Sequence, residues 1–345
     1  LKVAVVGAGI VGACAARELS RRGASVTVYE QFPLGHKRGS SHGRSRIVRK
    51  AYPDPLFTRH MQDAYPLWRE LEADLGKPLL HECGLIYAGD PSSPEIQGCL
   101  AGLRECDVHH EVLRAPELAA RGIPYLLGQD EVAIHTPEAG WVRADAAVRG
   151  ALELAVRSGA SVRIERADPF DLAQDYNAVV VAAGPWIREW APLPVQVTKQ
   201  TVAYFPGRLE GPVWIEDGPD LFYGFPSEPN SASHKIGIHR SGPPVEDLGQ
   251  EQGPETADLD ALSQASRRRF GHGGSPLEAV SCRYTNTVDE RFLFGRWGDR
   301  GFFASACSGH GFKFGPWTGR RLALFALGEA SPEEHPEFLW EGATA

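Results

Sequence analysis

"KVAVVGAGIVGACAARELSRRGASVTVYE", residues 2–30, is the stretch on which the fold turns. "KVAVV" is an apolar, β-branched run of the buried-strand type, and "SVTVYE" is a second one. Between them, "ACAARELSRRG" has the composition of a helix, with Gly23 as its stop. Gly7, Gly9 and Gly12 form a G-x-G-x-x-G motif at the junction of the first strand and the helix. Gly7 permits the tight turn, Gly9 lets the backbone approach a pyrophosphate, and Gly12 lets the helix pack closely on the strand. The helix N-terminus then turns its partial positive charge toward the phosphates. Glu30 closes the second strand at the spacing of a ribose-binding acid, which disfavours a 2′-phosphorylated dinucleotide and leaves FAD and NAD open.

The rest of the chain alternates in character. "RADAAVRGALELAVRSGASVRIE" reads as helix, glycine stop and strand, and "NAVVVAAGPW" as another buried strand ending at Gly184. That ending suits either a return of the chain to an FAD site or an ordinary core strand. "FTRHMQDAYPLWRELEADLG" carries apolar residues at helical spacing, with Pro66 expected to kink or break it. Strand-like runs crowd the middle: "QVTKQTVAYF", "PVWIE", "LFYGFP" and "HKIGIH". Residues 241–259, rich in Pro, Gly and acids, read as an exposed loop. "GFFASA" is a last strand and "GPWTGRRLALFALG" a last helix with Pro316 early in it. Together these runs predict an α/β chain with an α+β insert. A Rossmann-type dinucleotide-binding domain would be assembled from 1–76, 141–193 and 283–345, and a β-rich substrate domain from 77–140 and 194–282.

Bulk properties narrow the function. The 345 residues are 42% hydrophobic and 23% charged, the composition of a soluble globular protein. A net charge of −8 argues against nucleic acid as a partner, and no apolar run approaches the ~20 residues of a membrane helix. Six scattered cysteines without a CxxC pair, and an opening that goes straight into a strand, favour reduced thiols, no metal site and a cytoplasmic location.

Two stretches concentrate charge in apolar surroundings. "GHKRGSSHGRSRIVRKAY" (35–52) alternates Arg46 and Arg49 with Ile47 and Val48, and "GHGFKFGPW" (309–317) sets Lys313 between Phe312 and Phe314. Buried cations of this kind need an anion. With "SCRYTNTVDERF", these segments resemble the monomeric sarcosine oxidase family of flavin amine oxidases, nearest to its L-pipecolate and sarcosine oxidases. The likeness spans nearly the whole chain and is strongest at 1–75 and 280–328.

That resemblance implies a two-domain architecture like that of D-amino-acid oxidase. It also implies an FAD attached covalently through Cys282, with Arg46 and Arg283 as the positive neighbours that favour its thiolate. It implies cofactor contacts from Ser41, His42, Arg46, Gly184, Gly311 and Lys313. Arg49 and Lys313 would hold a substrate carboxylate, and Tyr223, Tyr284 and Trp214 would line the pocket. Lys235, in "SHKIGIH", would assist the reaction with oxygen, with His239 and His310 beside the reacting atoms. The expected activity is oxidation of a secondary amino acid such as sarcosine or L-pipecolate by a monomer, yielding imine and hydrogen peroxide. The alternatives are a flavin dehydrogenase with another electron acceptor, a non-catalytic flavin-binding subunit, and an NAD-dependent dehydrogenase sharing only the glycine motif.

Overall fold

The first strand, Lys2–Val6, lies inside a six-stranded sheet and is apolar because both its faces are covered. The computed structural model describes residues 1–345 except 241, 251, 252, 272, 306, 341 and 343–345. Ser25–Glu30 and Ala178–Val181 flank the first strand in parallel register, with Ser161–Ile164 and Gly301–Ser305 beyond them. Leu293–Trp297 closes one edge antiparallel. The helix Ile10–Arg21 packs on this sheet between Ala144–Arg157 and Gly315–Leu327.

A second sheet has eight strands. Its order is Glu278–Asn286, Gln196–Pro206, Ser233–Ile238, Phe222–Phe225, Val213–Glu216, Leu85–Gly89, Val132–Thr136, Glu111–Leu113. A small sheet of Ser45–Val48, Gly140–Arg143 and Leu80–Glu82 joins the two halves. The strand Glu278–Asn286 is continuous through 282 and 283, so the expected boundary there falls inside a strand of the larger sheet.

Two local expectations hold only in part, for physical reasons. Pro55–Leu75 is one continuous helix despite Pro66. Phe57, Met61, Ala64, Trp68 and Leu71 anchor its buried face, while Pro66 and Gln62 are exposed, so the carbonyl freed by the proline meets water. Within 241–259, where 241, 251 and 252 lie outside the described residues, the chain is largely irregular and exposed. Val245 and Leu248 are nonetheless buried, and a helix, Thr256–Phe270, begins before the stretch ends.

Candidate active site

The glycine motif forms a cradle. Gly7 has φ +101°, and a Cβ there would stand 2.4 Å from the Ala182 carbonyl oxygen. The Ile10 N–H at the helix start meets Ser41 Oγ at 3.1 Å. Glu30 accepts from Ala8 N at 2.9 Å and Phe32 N at 3.0 Å. Burial alone would raise its pKa, but His36 and those two N–H groups hold the carboxyl below its usual range.

From this cradle a cavity of about 570 Å³ runs past Ser41, His42 and Gly184 to Arg49, Gly311 and Lys313. It lies beyond the carboxyl ends of the parallel strands, where open α/β sheets bind ligands. The Gly311–Phe314 turn leads directly into the helix Gly315–Leu327, whose first turn reaches the cavity through Thr318.

The far end of the cavity is strongly cationic. Arg46 donates to the carbonyls of Ser40 (2.9 Å), His42 (2.6 Å) and Ser45 (3.0 Å), and its Nη2 lies 3.8 Å from Cys282 Sγ. Arg283 projects the other way, to the Leu248 carbonyl at 2.8 Å, because neighbours on a strand face opposite sides. The Arg49 guanidinium donates to the Ala51 carbonyl and lies 4.0 Å from the Tyr52 ring centre. Lys313 Nζ donates to the His310 carbonyl at 3.0 Å and lies 5.7 Å from the same ring. Burial, then Arg49 and Arg46, hold the Lys313 pKa well below the lysine range. Among the described residues, neither Arg49 nor Lys313 is ion-paired with a carboxylate.

Neutral groups complete this end. Tyr223 and Tyr284 line the cavity side by side, close enough for each to influence the other's titration. His239 is pushed down to about 3 by burial and by Lys313 and Arg49, so it is an uncharged imidazole. His310 is likewise lowered by burial and Lys313; its Nε2 lies 2.9 Å from the Glu290 carbonyl oxygen and its Nδ1 3.4 Å from Tyr52 Oη. Gly309, at φ +69°, leaves room for His239 and Tyr284, each of which a Cβ there would meet at 2.4 Å.

Two expected residues sit elsewhere. Trp214 does not reach the cavity; it packs against Tyr125 and Phe270 on the opposite face of its strand, and its neighbour Ile215 lines the cavity instead. Lys235 stands one layer back, behind the lining residue Phe225. Its Nζ is 4.3 Å from that ring and donates to the Ser45 carbonyl at 2.8 Å. Burial and Arg46 hold its pKa well below the lysine range. Leu221, Phe225 and Ile47 also line the cavity, unforeseen. The alternation of Leu221, Tyr223 and Phe225 in "LFYGFP" was an available signal for the first two.

Residues 2–324 match the family described as FAD dependent oxidoreductase. The chain belongs to this family. Among its relatives, monomeric sarcosine oxidase of Streptomyces avermitilis is 32% identical, covering 98% of this chain and 96% of its own. Human peroxisomal sarcosine oxidase is 31% identical over 92% and 90%. The solved structure of NikD, an amino acid oxidase of nikkomycin biosynthesis, shares the fold with a TM-score of 0.85 at 22% identity, over 99% of this chain and 98% of its own. L-proline dehydrogenase from P. horikoshii does so at 0.82 and 20%, over 97% and 95%. The oxidoreductase has a cavity suited to FAD: Gly7 and Gly9 line it on a turn whose close packing only glycine allows, and Glu30 faces it. His42 adds a cavity-lining Nε2, buried and without a hydrogen-bond partner among the described residues.

Proposed function

We propose that this flavoenzyme oxidises the C–N bond of a secondary amino acid, N-methylated or cyclic, and passes the electrons to dioxygen. The observation that carries this reading is the pair Arg49 and Lys313: two buried basic side chains at the end of a dinucleotide cavity, with no carboxylate paired to either among the described residues. A planar guanidinium and a point-charge ammonium together suit a substrate carboxylate. Relatives named for the oxidation of sarcosine and N-methyl-L-tryptophan support the same chemistry.

FAD, when bound, supplies a two-electron oxidation, with imine and hydrogen peroxide as the products. Arg46, Gly184 and Gly311 join the cradle residues in holding it, with Cys282 as the site of a covalent thioether. Arg49 and Lys313 fix the carboxylate and so orient the C–H to be broken. The neutral rings of His239 and His310 and the Tyr223–Tyr284 pair shape a site that takes the substrate as a free amine.

Assay of peroxide release with sarcosine, L-pipecolate, L-proline and N-methyl-L-tryptophan tests the reading. At least one should turn over, and failure of all four to reduce the flavin would overturn it. Acid precipitation should leave the yellow colour in the pellet, and Cys282→Ser should move it to the supernatant.

Lys235 is proposed to favour the reaction with oxygen through its charge. One layer back, at an effective dielectric of ~20, a cation stabilises a developing anion by on the order of 2 kcal/mol. Lys235→Met is therefore expected to slow flavin reoxidation roughly thirtyfold in stopped-flow traces.

His239, neutral at any working pH, contributes no titration of its own. The pH dependence of kcat/KM between about pH 5 and 8 should keep its shape in His239→Gln, although that is the range of an ordinary histidine.

A further inference from the structure

The apolar wall of the cavity has a residue in a conformation that its side chain disfavours. Leu221 has φ +48°, in the left-handed region where a bulky residue is rare. Its backbone is tied in place: its N–H donates to the Gly218 carbonyl, and its carbonyl accepts from the His239 N–H, both at 3.2 Å. A strained backbone at a cavity wall points to a functional demand on the side chain.

The demand is readable in what surrounds it. Tyr223 and Phe225 share one face of the strand Phe222–Phe225, Leu221 immediately precedes it and lines the same cavity, and Ile215 is paired in register with Tyr223. These four side chains line the cavity, and the only polar atom they present is the Tyr223 hydroxyl, which lies near that of Tyr284. Arg49 and Lys313 both approach the Tyr52 ring, so the two cations converge on one place rather than two. The lining acids Glu30, Asp145 and Glu165 belong to the glycine-cradle half of the cavity.

We infer that Leu221, with Ile215 and Phe225, forms a subsite for an uncharged, apolar body on the amino acid, a ring or an alkyl group. The same wall discriminates against a second carboxylate or a polyhydroxylated chain. A second carboxylate packed on Leu221, Ile215 and Phe225 would be buried against hydrocarbon, and hydroxyl groups would face side chains that offer no hydrogen bond. This inference rests on the carboxylate-binding role of Arg49 and Lys313 proposed above.

The test is calorimetric binding of non-oxidisable carboxylates to the holoenzyme: acetate, cyclopentanecarboxylate, succinate and gluconate. Cyclopentanecarboxylate is expected to bind about tenfold or more tighter than succinate or gluconate, the scale on which an apolar pocket reads a change of substituent. Leu221→Gly and Leu221→Asn both suit the left-handed backbone and so keep the fold. Each should weaken cyclopentanecarboxylate several-fold while leaving acetate within about twofold of its original affinity. Equal binding of succinate or gluconate, or variants that leave the ratio of cyclopentanecarboxylate to acetate unchanged, would overturn the subsite alone. Failure of acetate itself to bind would overturn the carboxylate-binding role, and the subsite with it.

Discussion

Lys313→Met is expected to raise KM for an amino acid substrate by one to two orders of magnitude while changing kcat only a few-fold. A charge-assisted hydrogen bond contributes ~1.5–3 kcal/mol, which is about ten- to a hundredfold in affinity. The carboxylate keeps its charge throughout the reaction, so the interaction is nearly as strong in the ground state as in the transition state. Its loss therefore falls on KM.

A second signature separates this role from mere packing. In the empty site, burial and the neighbouring Arg49 hold Lys313 well below the lysine range. A bound carboxylate offsets the burial and the repulsion with its own charge and returns the pKa upward. At any pH between the two values, binding takes up about one proton, since the ammonium is the form that pairs with the anion. Calorimetry with acetate in buffers of different ionisation enthalpy should show that uptake in the parent enzyme and lose it in Lys313→Met. An unchanged KM together with unchanged proton uptake would remove Lys313 from the site.

How much of this was legible in the sequence follows from how local each signal is. The glycine motif, the acid at Glu30 and the flanking strands lie within 30 consecutive residues, and their chemistry depends on spacing along the chain. The alternation of Arg46 and Arg49 with Ile47 and Val48 announced buried cations, and all four side chains are largely withdrawn from solvent. What escaped depends on contacts from elsewhere. Trp214 and Ile215 are adjacent on one strand, and composition cannot say which of the two faces the cavity. The answer comes from the partner strand, where Gly224 leaves room for the indole: a Cβ at Gly224 would lie 2.4 Å from it. The helix Thr256–Phe270 is polar along most of its length and has only a thin apolar face, so periodicity hardly marks it. Its place is set by packing on Gln196–Pro206 and Ser233–Ile238, strands distant in sequence. Lys235 sits one layer behind the wall because its ammonium finds the Ser45 carbonyl, on a strand 190 residues away.

Gly12→Ala is expected to yield a folded protein that has lost flavin affinity by about two orders of magnitude. A Cβ at Gly12 would lie 1.9 Å from the Gly7 carbonyl oxygen and 3.0 Å from its carbon. The obstacle is backbone, and it cannot rotate away as a side chain would. The helix Ile10–Arg21 must therefore shift outward from the first strand, or the Gly7 turn must open. Either movement withdraws the helix N-terminus from the phosphates it is placed to meet. Overpacking of this kind costs ~1–3 kcal/mol, and an immovable carbonyl puts this case at the upper end, equivalent to about a hundredfold in affinity. The affinity lost is that of the non-covalent encounter, so the cleanest measurement titrates FAD into apoprotein carrying Cys282→Ser, with and without Gly12→Ala. Gly274→Ala is the control, since a Cβ there has no heavy atom within 4 Å, and it should bind flavin as the parent does. Circular dichroism separates loss of the site from loss of the fold. A Gly12→Ala protein that kept its full flavin affinity would mean that the close approach of helix to strand is not what presents the phosphates to the helix.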